Sequence, residues 1–131
     1  MIGIDSNILI RHLVQDDAVQ SPKATALIER HLSESNPGFL SVVTIAEIVW
    51  VLQRRYRLSR QDVAAVLERV LQIESLVVEH EPEVYRAMLA LKAGHSSFGD
   101  ALIGALNSKA GCLRTLTFDR KATRLPGFEL L

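Results

Sequence analysis

The chain opens Ile2-Gly3-Ile4-Asp5-Ser6-Asn7, and the reading of these six residues decides the fold. Ile2-Gly3-Ile4 is an apolar run too short for a helix and closed by turn formers, so it reads as a buried strand. Asp5-Ser6-Asn7 has the composition of a helix start, where a short polar side chain satisfies N–H groups that the first turn leaves free. Ile8, Leu9 and Leu13 then line the inward face of a short helix. A buried strand that feeds directly into a helix is the elementary β–α unit.

The same alternation continues through the chain. Ser21-Pro22 is an N-cap followed by proline at the first helical position, with Ala24, Leu27, Ile28 and Leu32 at helical spacing and Asn36-Pro37-Gly38 as the stop. Phe39 to Val43 is a second strand, and Thr44 to about Arg57 a helix apolar on most sides, which predicts a central position. Ser59 opens a helix with Val63, Val66, Leu67, Val70 and Leu71 on one stripe, and Leu76-Val77-Val78 is a third strand. Pro82 starts a helix that ends at Gly94, Phe98 to Ala110 forms another, and Leu113 to Phe118 is a fourth strand. Phe128 to Leu131 is a fifth strand at an edge. Short strands alternating with helices predict an α/β fold, a parallel sheet covered on both faces. No repeat or linker interrupts residues 1–131, so a single domain is expected.

Composition narrows the function classes. Of 131 residues, 48% are apolar and 23% charged, which excludes disorder and collagen-like repetition. No apolar run approaches the roughly 20 residues that span a bilayer. The N-terminus lacks the basic and apolar regions of a signal peptide, and Cys112 has no disulfide partner, so a reducing cytoplasm is the expected compartment. Fifteen basic residues balance fifteen acidic ones, so no global field advertises a nucleic acid. Basic residues do cluster locally, at Arg54, Arg55, Arg57 and Arg60. Such runs also serve as solvated helix ends.

The acids carry the chemistry. In an open parallel sheet, ligands bind outside the carboxyl ends of the strands. Asp5 follows the first strand and Asp119 the fourth, so both are expected at one rim. Glu47 and Asp100 fall in first helical turns, each completing a capping box, Thr44-Ile45-Ala46-Glu47 and Ser97-Phe98-Gly99-Asp100. Ser59-Arg60-Gln61-Asp62 is a third such box, with polar neighbours as a solvated cap should have. Glu47 and Asp100 instead stand among apolar residues, where an unpaired carboxylate is costly. Capping alone also accounts for Asp5, and a turn for Asp119. Four acids at one rim would repel one another and be pushed toward protonation unless a cation joined them. Carboxylate-only ligation selects a hard ion, Mg²⁺ or Mn²⁺. Zinc is disfavoured, because His12, His31, His80 and His95 show no ligand spacing. Asn7 and Thr117 stand beside the acids and can hydrogen-bond to them or to metal-bound water. No Gly-x-Ser-x-Gly nucleophile motif or Walker loop is present.

These motifs, in this order, resemble a PIN-domain nuclease. Ile4-Asp5-Ser6-Asn7-Ile8-Leu9 and Thr44-Ile45-Ala46-Glu47 match the first half of such a domain. Ser97-Phe98-Gly99-Asp100-Ala101-Leu102-Ile103 and Leu116-Thr117-Phe118-Asp119-Arg120-Lys121 match the second half. The small size and the ending Leu125-Pro126-Gly127-Phe128 make the chain similar to the VapC-type toxins of bacterial type II toxin–antitoxin pairs. The resemblance implies a three-layer α/β/α sandwich around a short, mostly parallel sheet. It implies Asp5, Glu47, Asp100 and Asp119 as an acidic quartet holding Mg²⁺ or Mn²⁺, with Asn7 and Thr117 supporting it. It further implies endonuclease action on RNA leaving a 5′-phosphate and a 3′-hydroxyl, homodimers, and inhibition by a cognate antitoxin. Ser97 departs from the pattern, since many relatives carry an acid there, which removes a fifth carboxylate.

Arg11, Arg120 and Lys121 are close enough in sequence to the acids to steer phosphates. The aromatic supply is thin and mostly at apolar positions, so broad base stacking is not expected. The helices around Leu27 and Val66 are candidate dimer surfaces only through their apolar stripes. Two other classes fit parts of the pattern. A phosphatase or phosphoacceptor domain also places acids at strand ends, but it typically needs a second acid where this chain has Asn7. A non-catalytic interaction module would use the four acids only as caps.

Overall fold

The computed structural model describes residues 1–131. Three apolar runs form strands β1 (Ile2–Gly3), β2 (Gly38–Leu40) and β3 (Leu76–Val78), which pair side by side in that order, all parallel. Gly38 stands level with Ile2 on one side and Leu76 on the other. A Cβ on Gly38 would lie 2.8–2.9 Å from side-chain carbons of Ile4, Leu32 and Leu76, so only glycine lets the flanking chains close over β2. Parallel neighbours need crossover connections. Helices α1 (Ser6–Val14) and α2 (Gln20–Ala26) link β1 to β2, and α3 (Val42–Arg54) and α4 (Arg60–Leu71) link β2 to β3. Beyond β3 come α5 (Glu81–Ala93), α6 (Phe98–Lys109), β4 (Thr115–Thr117) and β5 (Phe128–Leu130).

The fold is α/β with every strand pair parallel, as the alternation predicts. The sheet is in two pieces, however. β4 pairs only with β5, and β1 keeps one edge unpaired. The unpaired edges carry exposed apolar side chains, Ile2 on β1 and Leu116 on β4.

The core gathers the helices' inward faces around β2 and β3. Leu9, Leu40, Ile45, Ile48, Leu52, Leu67 and Met88 are fully enclosed. Val63, Val66, Leu67 and Val70 of α4 are buried within this core, and Leu27 packs against it. These two stripes are therefore not the free dimer surfaces that their periodicity suggests. Helix α3 is also less central than expected. Its stripe Val43, Glu47, Trp50 and Arg54 faces solvent, Val43 at 73% and Trp50 at 61% exposure, while Ile45, Ile48, Val49 and Leu52 face the core. Length and hydropathy cannot separate a central helix from one with a single open apolar stripe.

Several boundaries shift for capping reasons. Helix α2 starts at Gln20 rather than after Ser21, because the Asp17 carboxylate accepts from the N–H groups of Val19 and Gln20. Those two bonds hold the Asp17 carboxyl below its ordinary pKa. The helix ends in a π-helical turn, Leu27–His31, closed by the Leu32 N–H on the Leu27 carbonyl, five residues before the proline-glycine stop. At the other end of the chain, Gly94 caps α5 with φ +74°, and the Arg60 guanidinium lies where a side chain would stand. Glu83 of α5 is buried against α6. Burial opposes its charge, but a backbone N–H and the Lys109 ammonium 3.4 Å away outweigh that and hold its carboxyl below the usual range.

Candidate functional site

Asp5 leaves β1 in extended backbone and caps α1, its Oδ1 accepting from the Ser6 N–H at 2.9 Å. Helix α3 is capped by Ser41, not by Thr44. The Ser41 hydroxyl accepts from the Thr44 N–H at 3.2 Å, and the Glu79 carboxylate accepts from the Val42 N–H. The expected Thr44–Glu47 capping box therefore does not exist. Glu47 lies in the second turn, exposed, and its carboxylate meets no hydrogen-bond or ion-pair partner in the chain. Capping no longer accounts for it.

Asp5 and Glu47 border one cavity of about 210 Å³ between α1 and α3. Asn7 lines the same cavity. The opposite end of the cavity is basic and aromatic, formed by Arg11 of α1 and by Arg55 and Tyr56 just past α3. Arg11 is fixed in place. Its Nε donates to Gln20, and its Nη1 pairs with Asp16 at 2.9 Å. The Tyr56 hydroxyl donates to Asp16 at 2.7 Å, closing a latch between the α1–α2 loop and the end of α3. The Tyr56 bond, joined by Arg11, holds the Asp16 carboxyl below the usual range, and the same Asp16 contact raises both Arg11 and the Tyr56 phenol.

The other two acids lie elsewhere. Asp100 stands in the first turn of α6, half-buried, its N–H donating to the Ser97 hydroxyl at 3.1 Å. Its own carboxylate returns no bond, so this capping box is only half formed. Asp119 is exposed in the turn after β4, where its Oδ1 accepts from the Lys121 N–H. The Thr117 hydroxyl accepts from the Asp119 N–H at 3.0 Å, a bond to the backbone and not to the carboxylate. Neither Asp100 nor Asp119 borders the Asp5–Glu47 cavity. β4 pairs with β5 and not with β1, so no continuous sheet edge joins the strands that Asp5 and Asp119 follow.

Nowhere do three His, Cys, Asp or Glu side chains stand close enough together to hold a metal ion. The donor set suits a hard divalent ion. The arrangement does not complete its cage. Glu47 shares the exposed stripe of α3 with Val43 and Trp50 while Ile45, Ile48 and Val49 turn to the core, and Asp100 is half-buried beside the buried Phe98, Ala101 and Leu102. The periodicity of a helix makes this possible for any acid flanked by i±1 apolar residues.

Sequence reasoning singled out Arg11, named Arg55 only as one of a basic cluster, and did not place Tyr56 at the site. The signal was available in Glu47, Val51 and Arg55, which recur every four residues and so share one face. Arg120 and Lys121 are exposed and do not reach this cavity. Trp50 and Phe118 are 61% and 80% exposed. A cavity of about 490 Å³ between α5, α6 and the C-terminal segment is bordered by none of the four acids. No helix is long and apolar enough to cross a membrane.

Comparison with known proteins agrees with this architecture. A VapC ribonuclease of Aquifex aeolicus (strain VF5) is 29% identical over 91 residues, covering 70% of this chain and 67% of that protein. The family model described as PIN domain matches residues 2–127, from β1 to the turn before β5. The chain belongs to the PIN domain family.

Proposed function

We propose that this chain is a Mg²⁺- or Mn²⁺-dependent endoribonuclease that acts as the toxin of a toxin–antitoxin pair. The observation that carries the reading is the cavity shared by Asp5 and Glu47, with an otherwise unexplained carboxylate at Glu47 and two arginines opposite. The similarity to a VapC ribonuclease supports the substrate class. Glu47, exposed and unpaired, orients the attacking water and accepts its proton. The water oxygen bonds to phosphorus, the bond to the 3′-oxygen breaks, and that oxygen takes a proton, leaving a 5′-phosphate and a 3′-hydroxyl. Asp5, Asp100 and Asp119 are the proposed partners of Glu47 in holding the ion, with Asn7 and Thr117 orienting them. Binding by all four requires Asp100 and Asp119 to approach the α1–α3 cavity. A cognate antitoxin and a homodimer complete the proposal.

The test is cleavage of single-stranded RNA oligonucleotides by the purified chain, with Asp5→Asn and Glu47→Gln as controls. Cleavage that needs Mg²⁺ or Mn²⁺, stops with EDTA and is lost in both variants supports the assignment. Undiminished cleavage by either variant overturns it. A second reading, a non-catalytic interaction module, draws on the local duties of Asp5 and Asp119 and on the absence of an assembled acidic cluster. That module predicts no cleavage and no rise in melting temperature on metal titration. An ion that binds only the native state would raise stability by RT ln(1 + [L]/Kd), about 2.7 kcal/mol at one hundred times Kd.

A further inference from the structure

The basic end of the α1–α3 cavity has a use that the acids do not explain. Helix α3 and the residue that caps it present Glu47, Val51 and Arg55 along one face, and α1 with its own cap presents Asp5 and Arg11. Both run from acid to base. At 1.5 Å per residue, the backbone of Arg11 lies about 9 Å beyond Asp5, and that of Arg55 about 12 Å beyond Glu47. The trough is thus polarised, negative at one end and positive at the other.

Its two arginines differ. Arg11 is held by Gln20 and neutralised by Asp16, which Tyr56 also grips. Arg55 is exposed and takes part in none of the chain's three ion pairs. A small free anion in this trough would gain from Arg55 and lose to Asp5 and Glu47. A chain of phosphodiesters gains at one end while presenting a different link at the other. The cavity, about 210 Å³, is also below the roughly 300 Å³ at which sites enclosing a whole small molecule begin. It suits a grip on a segment of a polymer.

We propose that Arg55 is a phosphate-binding residue for single-stranded RNA, engaging a backbone phosphate neighbouring the one presented to Asp5 and Glu47. The Tyr56–Asp16–Arg11 latch is the positioning device, because it ties the chain immediately after Arg55 to the loop following α1. A guanidinium is suited to this role by its fixed fork of donors and its permanent charge. The inference rests on the nuclease reading for its substrate but makes a separate claim about binding.

The experiment compares wild type, Arg55→Ala, Arg55→Lys and Arg69→Ala, an exposed cation on α4 away from the cavity. Equilibrium binding of a short single-stranded RNA is measured across salt concentrations, together with kcat and KM for its cleavage. R55A is expected to weaken binding and raise KM about tenfold, with kcat within about twofold. The salt slope should flatten by about 0.7, the value for one phosphate contact on a single strand. R55K should recover most of the affinity, and R69A should match wild type. Unchanged affinity and slope in R55A, or an equal loss in R69A, overturns the proposal. A drop in melting temperature without either change would assign Arg55 to the end of α3 alone, and also overturns it. Wild-type RNA binding with an Arg55-dependent slope but no cleavage would retire the nuclease reading and keep the subsite. Cleavage by R55A with wild-type KM would do the reverse, and a wild type that binds no RNA defeats both.

Discussion

Asp5 has two duties that substitution can separate. As N-cap of α1 its Oδ1 accepts from the Ser6 N–H at 2.9 Å, and as an anion at that helix end it faces the positive end of the helix dipole. Asp5→Ala removes both, at about 1 kcal/mol for the cap and roughly 0.5 kcal/mol for the charge. Asp5→Asn keeps an acceptor of equal capping strength and loses only the charge, about 0.5 kcal/mol. At about 2.1 cal/mol/K per residue, 131 residues have an unfolding entropy near 0.28 kcal/mol/K, so 1 kcal/mol corresponds to about 3.6 °C. D5A should therefore melt about 5 °C below wild type and D5N about 2 °C below. Activity should not follow this order. If the Asp5 charge acts on substrate or ion, D5N and D5A lose RNA cleavage alike, by at least about a hundredfold each. Calorimetry and an oligonucleotide cleavage assay on the same preparations, well below the melting temperature, measure the two effects. A D5N variant with wild-type cleavage beside a crippled D5A would refute the reasoning, because the oxygen would then matter only as a cap.

Glu47→Gln should leave the melting temperature within about 2 °C of wild type, since the exposed carboxylate has no partner to lose, while abolishing cleavage. Gly38→Ala should destabilise by about 1–3 kcal/mol, the range for overpacking, because the new methyl meets Ile4, Leu32 and Leu76 at 2.8–2.9 Å. Urea unfolding would register this as a lower midpoint at unchanged slope. The Asp16 latch should be acid-sensitive. Its carboxyl titrates lower in the folded chain than unfolded, so its contribution is complete above the unfolded value near pH 3.9 and disappears as pH falls through the lower folded value. Asp16→Asn should remove that part of the stability profile as pH falls below about 4, and an unaltered profile would count against the latch.

Element types were legible in the sequence because the local signals agreed with one another. Ser59 caps α4 through the Asp62 N–H, and Gly94 ends α5 in a left-handed turn, as their positions predict. Boundaries failed where two capping residues competed. Ser41 and Thr44 both suit the start of α3, and the chain uses the earlier one because the Ser41 hydroxyl reaches the Thr44 N–H and Glu79 satisfies the Val42 N–H. Glu79 lies far along the chain at the end of β3, so no local window contains that bond. The site was legible in its residue types and only partly in its geometry. Adjacency in the sheet decides which strand ends meet, and pairing between β1 and β4 has no local sequence signature.

That division has an energetic consequence for the proposed nuclease. Residues up to Tyr56 already bring Asp5, Glu47, Arg11 and Arg55 to one cavity, whereas Asp100 of α6 and Asp119 beyond β4 do not border it. A ligand that needs all four acids must stabilise the approach of the second set as well as make its own contacts. Its apparent affinity is then its intrinsic affinity multiplied by the fraction of molecules already closed. RNA bound at Arg55 requires no such approach, because its contacts lie wholly within the first set. Binding of RNA without metal should therefore be measurable under conditions where metal alone binds weakly. Substitutions that favour β1–β4 pairing should tighten metal binding without changing the affinity of metal-free protein for RNA.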